Sequence, residues 1–175
     1  MTDPHPGCRP GLSSHDAALV EAQLGRPARG VHEVGHRCPC GSPDVLVTEP
    51  RLPDGTPFPT TFYLTCPRAA SMIGTLEASG LMAAMTQRLA GDQDLATAYE
   101  QAHRAYLARR LAIGRVPEID GVSAGGMPTR VKCLHVLAAQ SLAQGPGVNP
   151  LGEEVLDALG AFWTAGPCVV AAAGP

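Results

Sequence analysis

The chain has 175 residues and a mass of 18.1 kDa, about one domain by length and enough to bury roughly 70% of its unfolded surface. Its residues are 45% hydrophobic but only 4% aromatic, with 20 Gly and 17 Pro, so Ala, Leu and Val dominate and closely packed helices are favoured over an aromatic-rich sandwich. A net charge of −3 and a pI near 6.0 argue against a general nucleic-acid binder, and no apolar run reaches the roughly 18 residues of a membrane span.

The first residues, Met1-Thr2-Asp3-Pro4-His5-Pro6, lack the charged-then-apolar pattern of a secretory signal, which predicts a cytoplasmic protein. In that compartment six cysteines read as thiols or metal ligands rather than disulfides.

Residues 1–13 are rich in Pro and Gly and predict a flexible tail carrying Cys8. Ser14 reads as the N-cap of a helix from His15 to Leu24, stopped by Gly25 and Pro27. Val31–His36 and Asp44–Thr48 read as short strands around the turn Cys38-Pro39-Cys40-Gly41-Ser42-Pro43. Pro57 to Thr65 alternates as a third strand, and its two prolines confine it to a sheet edge.

After Cys66, Pro67 suits a first helical position. A helical pattern then runs through Ile73, Leu76, Leu81, Met85 and Leu89, with a break at Gly80. Asp92–Leu111 is the strongest helix, with Leu95, Tyr99, Ala102 and Tyr106 on one stripe. A glycine-containing loop follows, and Pro128 is read as opening a helix to about Gln144. Gly145-Pro146-Gly147 closes it, and a last helix runs from about Leu151 to Trp163. The pattern is α+β: a small N-terminal antiparallel sheet of about three strands packed with about five helices. It forms a single domain over 14–168, followed by a C-terminal tail at 169–175.

Cysteine spacing carries most of the chemistry. Cys38-Pro39-Cys40 is C-x-C, not the C-x₂-C of zinc ribbons, and Cys66, Cys133 and Cys168 are widely separated. A metal site made from them has to be assembled by the fold, and the spacing fits zinc and an iron–sulfur cluster equally. The same residues also fit plain core packing.

Cys66 at a helix N-terminus, with Arg68 close by, also suits a thiol of lowered pKa. Met72 stands where a cysteine-phosphatase loop needs arginine. On a regular helix Cys133 and His135 point about 200° apart, which sets them against sharing one ion and makes His135 a core residue, or else a proton-transfer group or ligand beside the thiol site. Gly121-Val122-Ser123-Ala124-Gly125-Gly126, with Arg130 and Lys132 beyond it, reads as a tight connection more than as an anion loop, since it lacks the P-loop pattern.

Several segments together resemble a bacterial family known as domain of unknown function 501, here in an actinobacterial-type member. They are Arg37-Cys38 with Gly41 and Pro43, Gly55 to Thr61, Tyr63-Leu64-Thr65-Cys66-Pro67, Ser123 to Met127, Val131-Lys132-Cys133-Leu134-His135 and Gly147 to Gly152. The resemblance spans roughly residues 20–168. It implies a shared thiol site at Cys38, Cys66 and Cys133, with Cys168 as fourth member and Cys40 less clearly included. Genes of that family often neighbour those of a septum-formation initiator and an exopolyphosphatase-like protein, which implies a protein partner in the cell-division or envelope context.

Three functions follow as expectations. The first is a zinc or iron–sulfur protein ligated by Cys38, Cys66, Cys133 and Cys168. The second is a non-catalytic interaction module with structural cysteines. The third is a thiol-dependent enzyme using Cys66 with Lys132 or His135.

Overall fold

The computed structural model describes residues 11–169. The tails expected at 1–13 and 169–175 therefore lie mostly outside the described residues, as does Cys8. Helix α1 spans Ser14–Leu24, capped one residue earlier than the pattern implied: Ser13 Oγ accepts from the Asp16 N–H at 3.0 Å. Asp16 in turn accepts two hydrogen bonds from Arg37, at 2.8 and 2.7 Å, and so ties α1 to the sheet.

The sheet has strand order β1-β2-β3, all antiparallel, built from β1 (Val31–Arg37), β2 (Pro43–Thr48) and β3 (Phe62–Leu64). The central strand β2 is buried along its whole length. Only three residues of the expected third strand pair fully. Pro57 and Pro59 have no N–H to give a ladder, and the Thr61 N–H donates instead to the Tyr106 hydroxyl at 2.6 Å. Phe62 meets Tyr106 edge-on, with ring centroids 5.1 Å apart.

Helices α2 (Pro67–Ala78) and α3 (Leu81–Gly91) are separated by Gly80, whose φ of 87° is left-handed, at the break the sequence marks. Helix α4 (Gln93–Ile113) starts at Asp92, whose carboxylate accepts from the Leu95 N–H at 2.9 Å. Tyr99, Ala102 and Tyr106 form its buried stripe. A loop with a short 3₁₀ turn at Pro117–Ile119 leads to α5 (Leu134–Gln144) and α6 (Pro150–Leu159).

Six α-helices are thus present among the described residues, and two further boundaries, those of α5 and α6, correct the expected ones. Helix α5 starts at Leu134, not Pro128, because the preceding N–H groups have non-helical partners. Val131 N–H donates to Thr86 Oγ1 at 2.9 Å and Lys132 N–H to the Gly125 carbonyl at 2.7 Å. Gly126 makes that turn feasible, as a Cβ there would lie 2.8 Å from the Arg130 carbonyl oxygen. Helix α6 stops at Gly160 (φ 58°), short of Trp163. Helix α5 is the most enclosed helix, packed on β3 and α6 with Leu134, Leu137, Ala138 and Ala139 fully buried.

Candidate metal centre

The turn between β1 and β2 presents two thiols. Cys38 N–H donates to the Ser42 carbonyl at 3.0 Å, and Gly41 N–H returns to the Cys38 carbonyl at 2.8 Å. That fold of the chain directs the Cys40 N–H at the Cys38 sulfur and the Ser42 N–H at the Cys40 sulfur. Cys66 is the N-cap of α2, and the free N–H groups of Arg68 and Ala69 face its sulfur.

Cys168 comes from the far end of the chain. Arg68 draws that segment in, donating to the carbonyls of Phe162 at 3.1 Å, Gly166 at 2.8 Å and Pro167 at 3.4 Å. Gln23 Nε2 secures it from the other side, donating to the Pro43 carbonyl at 2.7 Å and to Cys168 Sγ at 3.4 Å.

These contacts bring Cys38 beside Cys40 and Cys66 beside Cys168, while the Cys40 sulfur reaches the Cys168 N–H. Cys38, Cys66 and Cys168 therefore lie in one region, accompanied by Cys40. Cys133 has other polar neighbours, Glu77 and His135. Among the described residues, the only trio of metal-ligating atoms all within 4.8 Å of one another is Glu77, Cys133 and His135. The Cys38–Cys40–Cys66–Cys168 group is thus more open than a single-zinc site, whose sulfurs sit ~3.8 Å apart given Zn–S bonds of ~2.3 Å.

Burial dominates the electrostatics of these thiols. It pushes Cys38 up to about 12 and Cys66 up to about 11, the neighbouring thiol adding to the rise in both cases. The lowered pKa expected for Cys66 at a helix N-terminus does not occur, because loss of solvent outweighs the first-turn N–H groups. A buried neutral thiol is a poor nucleophile. Cys40 differs: burial acts upward on it, but the Ser42 N–H, the Cys38 thiol and the Cys168 N–H together hold it below the usual thiol value.

The second grouping lies at the start of α5. Cys133 is the N-cap, with extended backbone (φ −154°, ψ 115°), so the 200° divergence of a regular helix does not apply. Cys133 Sγ lies 3.9 Å from His135 Nδ1, and Glu77 Oε1 lies 3.1 Å from the same nitrogen. Glu77 Oε1 also accepts the Leu134 N–H at 2.7 Å, and His135 Nε2 lies 3.1 Å from the Ala70 carbonyl. Sulfur and carboxylate share one ring nitrogen, which differs from a nucleophile triad, where they sit on opposite nitrogens. Cys133 and His135 open on a cleft of about 570 Å³ between β3 and α5, also lined by Thr60, Tyr63, Thr65 and Val136. Lys132 is exposed and is not among the residues lining it.

The contact with Cys133 and then that with Glu77 raise His135 to about 9 against the opposing effect of burial. Its ordinary value is 6.5, so the favourable contribution of the imidazolium is complete below pH 6.5 and is lost as pH rises through about 9. In metal-free protein, the stability of wild type relative to His135→Gln is expected to fall by about 1–2 kcal/mol across that window. The figure is reduced from the full linkage value because the side chain is 31% exposed. Urea unfolding of both proteins at a series of pH values checks this, and a difference that stays flat contradicts it.

Neither grouping is fully marked by local motif. Glu77 sits on α2 with no pattern linking it to Cys133, and the C-x-C spacing gave Cys40 little weight although the turn directs N–H groups to both of its sulfurs.

Among the described residues no helix is long and apolar enough to cross a membrane. No curated protein and no solved structure matches the chain. Residues 34–157 match the family model described as protein of unknown function (DUF501), a span that takes in Cys38, Cys40, Cys66, Cys133 and His135, and the chain belongs to that family.

Proposed function

We propose that the protein carries an iron–sulfur cluster on Cys38, Cys66 and Cys168, with Cys40 in place of Cys133 as the fourth ligand. One observation supports this reading: thiols from three distant segments form two neighbouring pairs, Cys38 with Cys40 and Cys66 with Cys168, with main-chain N–H groups close to the sulfurs. Such N–H groups stabilise thiolate once a cation replaces the protons, and they tune the potential of thiolate-bound clusters.

The arrangement in two pairs, Cys38 with Cys40 and Cys66 with Cys168, suits a cluster with two ligands on each of two irons better than one compact ion. A cysteine-only set has no position for substrate, so the centre would fasten segments together and hold electrons rather than act as a Lewis acid.

Protein purified without oxygen is expected to be coloured and to contain iron and acid-labile sulfide in equal amounts. Cys66→Ser and Cys168→Ser should lose both, whereas Cys133→Ser should keep them. Colourless protein containing zinc alone would refute the cluster, and folded wild type without metal would refute the centre altogether.

A further inference from the structure

We propose that Glu77, Cys133 and His135 form a second, separate metal site that takes one zinc-class divalent ion and presents it to the cleft between β3 and α5. The three donor atoms, one oxygen, one sulfur and one nitrogen, all lie within 4.8 Å of one another. That distance is close enough for small side-chain shifts to bring them onto one ion with bonds of ~2.0–2.3 Å. A mixed thiolate, imidazole and carboxylate set suits zinc over magnesium or calcium, which take oxygen alone.

The surroundings of each donor fit ligation. His135 turns Nδ1 towards Cys133 and Glu77, and the Ala70 carbonyl sits 3.1 Å from Nε2, where it accepts the remaining ring N–H. A backbone carbonyl on the far nitrogen is the usual partner of a metal-bound histidine, since it fixes the tautomer and the ring plane. The Leu134 N–H holds Glu77 Oε1 at 2.7 Å. Cys133 is the N-cap residue of α5, and its extended backbone turns the sulfur back towards His135.

Binding replaces two protons, one on Nδ1 and one on the thiol, with the ion's two positive charges. With one thiolate and one carboxylate the loaded site is then neutral. Three protein ligands leave a fourth position of a tetrahedral ion free, the pattern of catalytic rather than structural zinc. Cys133 and His135 both line the cleft of about 570 Å³, whose walls mix Phe62 and Leu64 with the side chains of Thr60 and Tyr63. A small molecule with a polar head for the ion and an apolar body for those walls is the class of ligand that fits.

Cobalt(II) provides the test, as thiolate-to-cobalt charge transfer reports the sulfur directly. Wild type is expected to bind one more cobalt ion than Cys133→Ser and to show the additional charge-transfer intensity of one further thiolate–cobalt bond. This difference does not depend on whether Cys38, Cys40, Cys66 and Cys168 are filled. Glu77→Gln retains an acceptor for the Leu134 N–H and so preserves the start of α5. It should weaken the cobalt affinity by about tenfold or more, as even lost outer partners do. Azide should shift the cobalt spectrum by occupying the open position. Equal cobalt binding by folded wild type, Cys133→Ser and Glu77→Gln would overturn the site, and a spectrum indifferent to azide would overturn its openness to the cleft.

Discussion

Gly152→Ala is expected to lower the free energy of unfolding by about 3 kcal/mol, at the upper end of the usual cost of overpacking. Gly152 lies in the first turn of α6, where that helix crosses α5. A Cβ at this position would overlap the Leu137 carbonyl oxygen and the Ser141 side-chain hydroxyl. The first of these is backbone in the middle of the most buried helix, so no rotamer change relieves it, and the helices have to separate. Separation also disturbs the polar junction beside them, where Asn149 donates to Gln140 Oε1 at 2.9 Å and accepts from the Gly152 N–H at 3.0 Å. Gly74→Ala is the matched control. It lies inside α2 with nothing within 4 Å of a built Cβ, and the added methyl should stabilise by roughly 0.5–1 kcal/mol through helix propensity alone. Urea unfolding of the two variants should therefore move in opposite directions. A Gly152→Ala protein as stable as wild type would show that the helices do not meet as closely as described.

The elements that sequence reasoning located are those with a local cause. Gly80 breaks a helical pattern because it supplies a left-handed residue, Asp92 caps α4, and Tyr99 with Tyr106 repeats at the helical period. The start of α5 was hidden because its cause is distant: Thr86 on α3 and Gly125 take the N–H groups that a helix from Pro128 would use. The error had a chemical consequence. Placed on a regular helix, Cys133 and His135 diverge; placed at an N-cap and in a first turn, they converge on Glu77. Cys66 shows the same limit in its electrostatics. Its position before Pro67 reads correctly as a helix N-terminus, but the burial that raises its pKa comes from packing that no spacing reveals. The resemblance to other family members grouped Cys38, Cys66, Cys133 and Cys168 together, and the fold divides them by placing Cys133 beside Glu77 and His135 and Cys168 beside Cys66.

That division rests largely on Arg68, whose guanidinium holds the final described segment against the N-terminus of α2. Arg68→Ala is expected to raise the rate at which a thiol reagent labels Cys168 in metal-free protein by about 30-fold. The bonds to Phe162, Gly166 and Pro167 have a charged donor, and a hydrogen bond of that kind contributes about 1.5–3 kcal/mol. The group is partly exposed, and one contact is long at 3.4 Å, so about 2 kcal/mol of local attachment is the reasonable total. At 1.4 kcal/mol per tenfold, that loss converts to the stated increase in opening. Arg68→Lys should fall between wild type and Arg68→Ala, because an ammonium cannot span three carbonyls as a planar fork does. Global unfolding should change little, since the segment beyond Phe162 contributes few core side chains. Labelling of Cys168 at the wild-type rate in Arg68→Ala would mean that Gln23 and the packing of Phe162 hold the segment alone. The cluster proposed on Cys66 and Cys168 would then have to form without the arginine. If labelling accelerates as expected, metal loading should slow it again in both proteins, because ligation ties Cys168 to Cys66 through the centre itself.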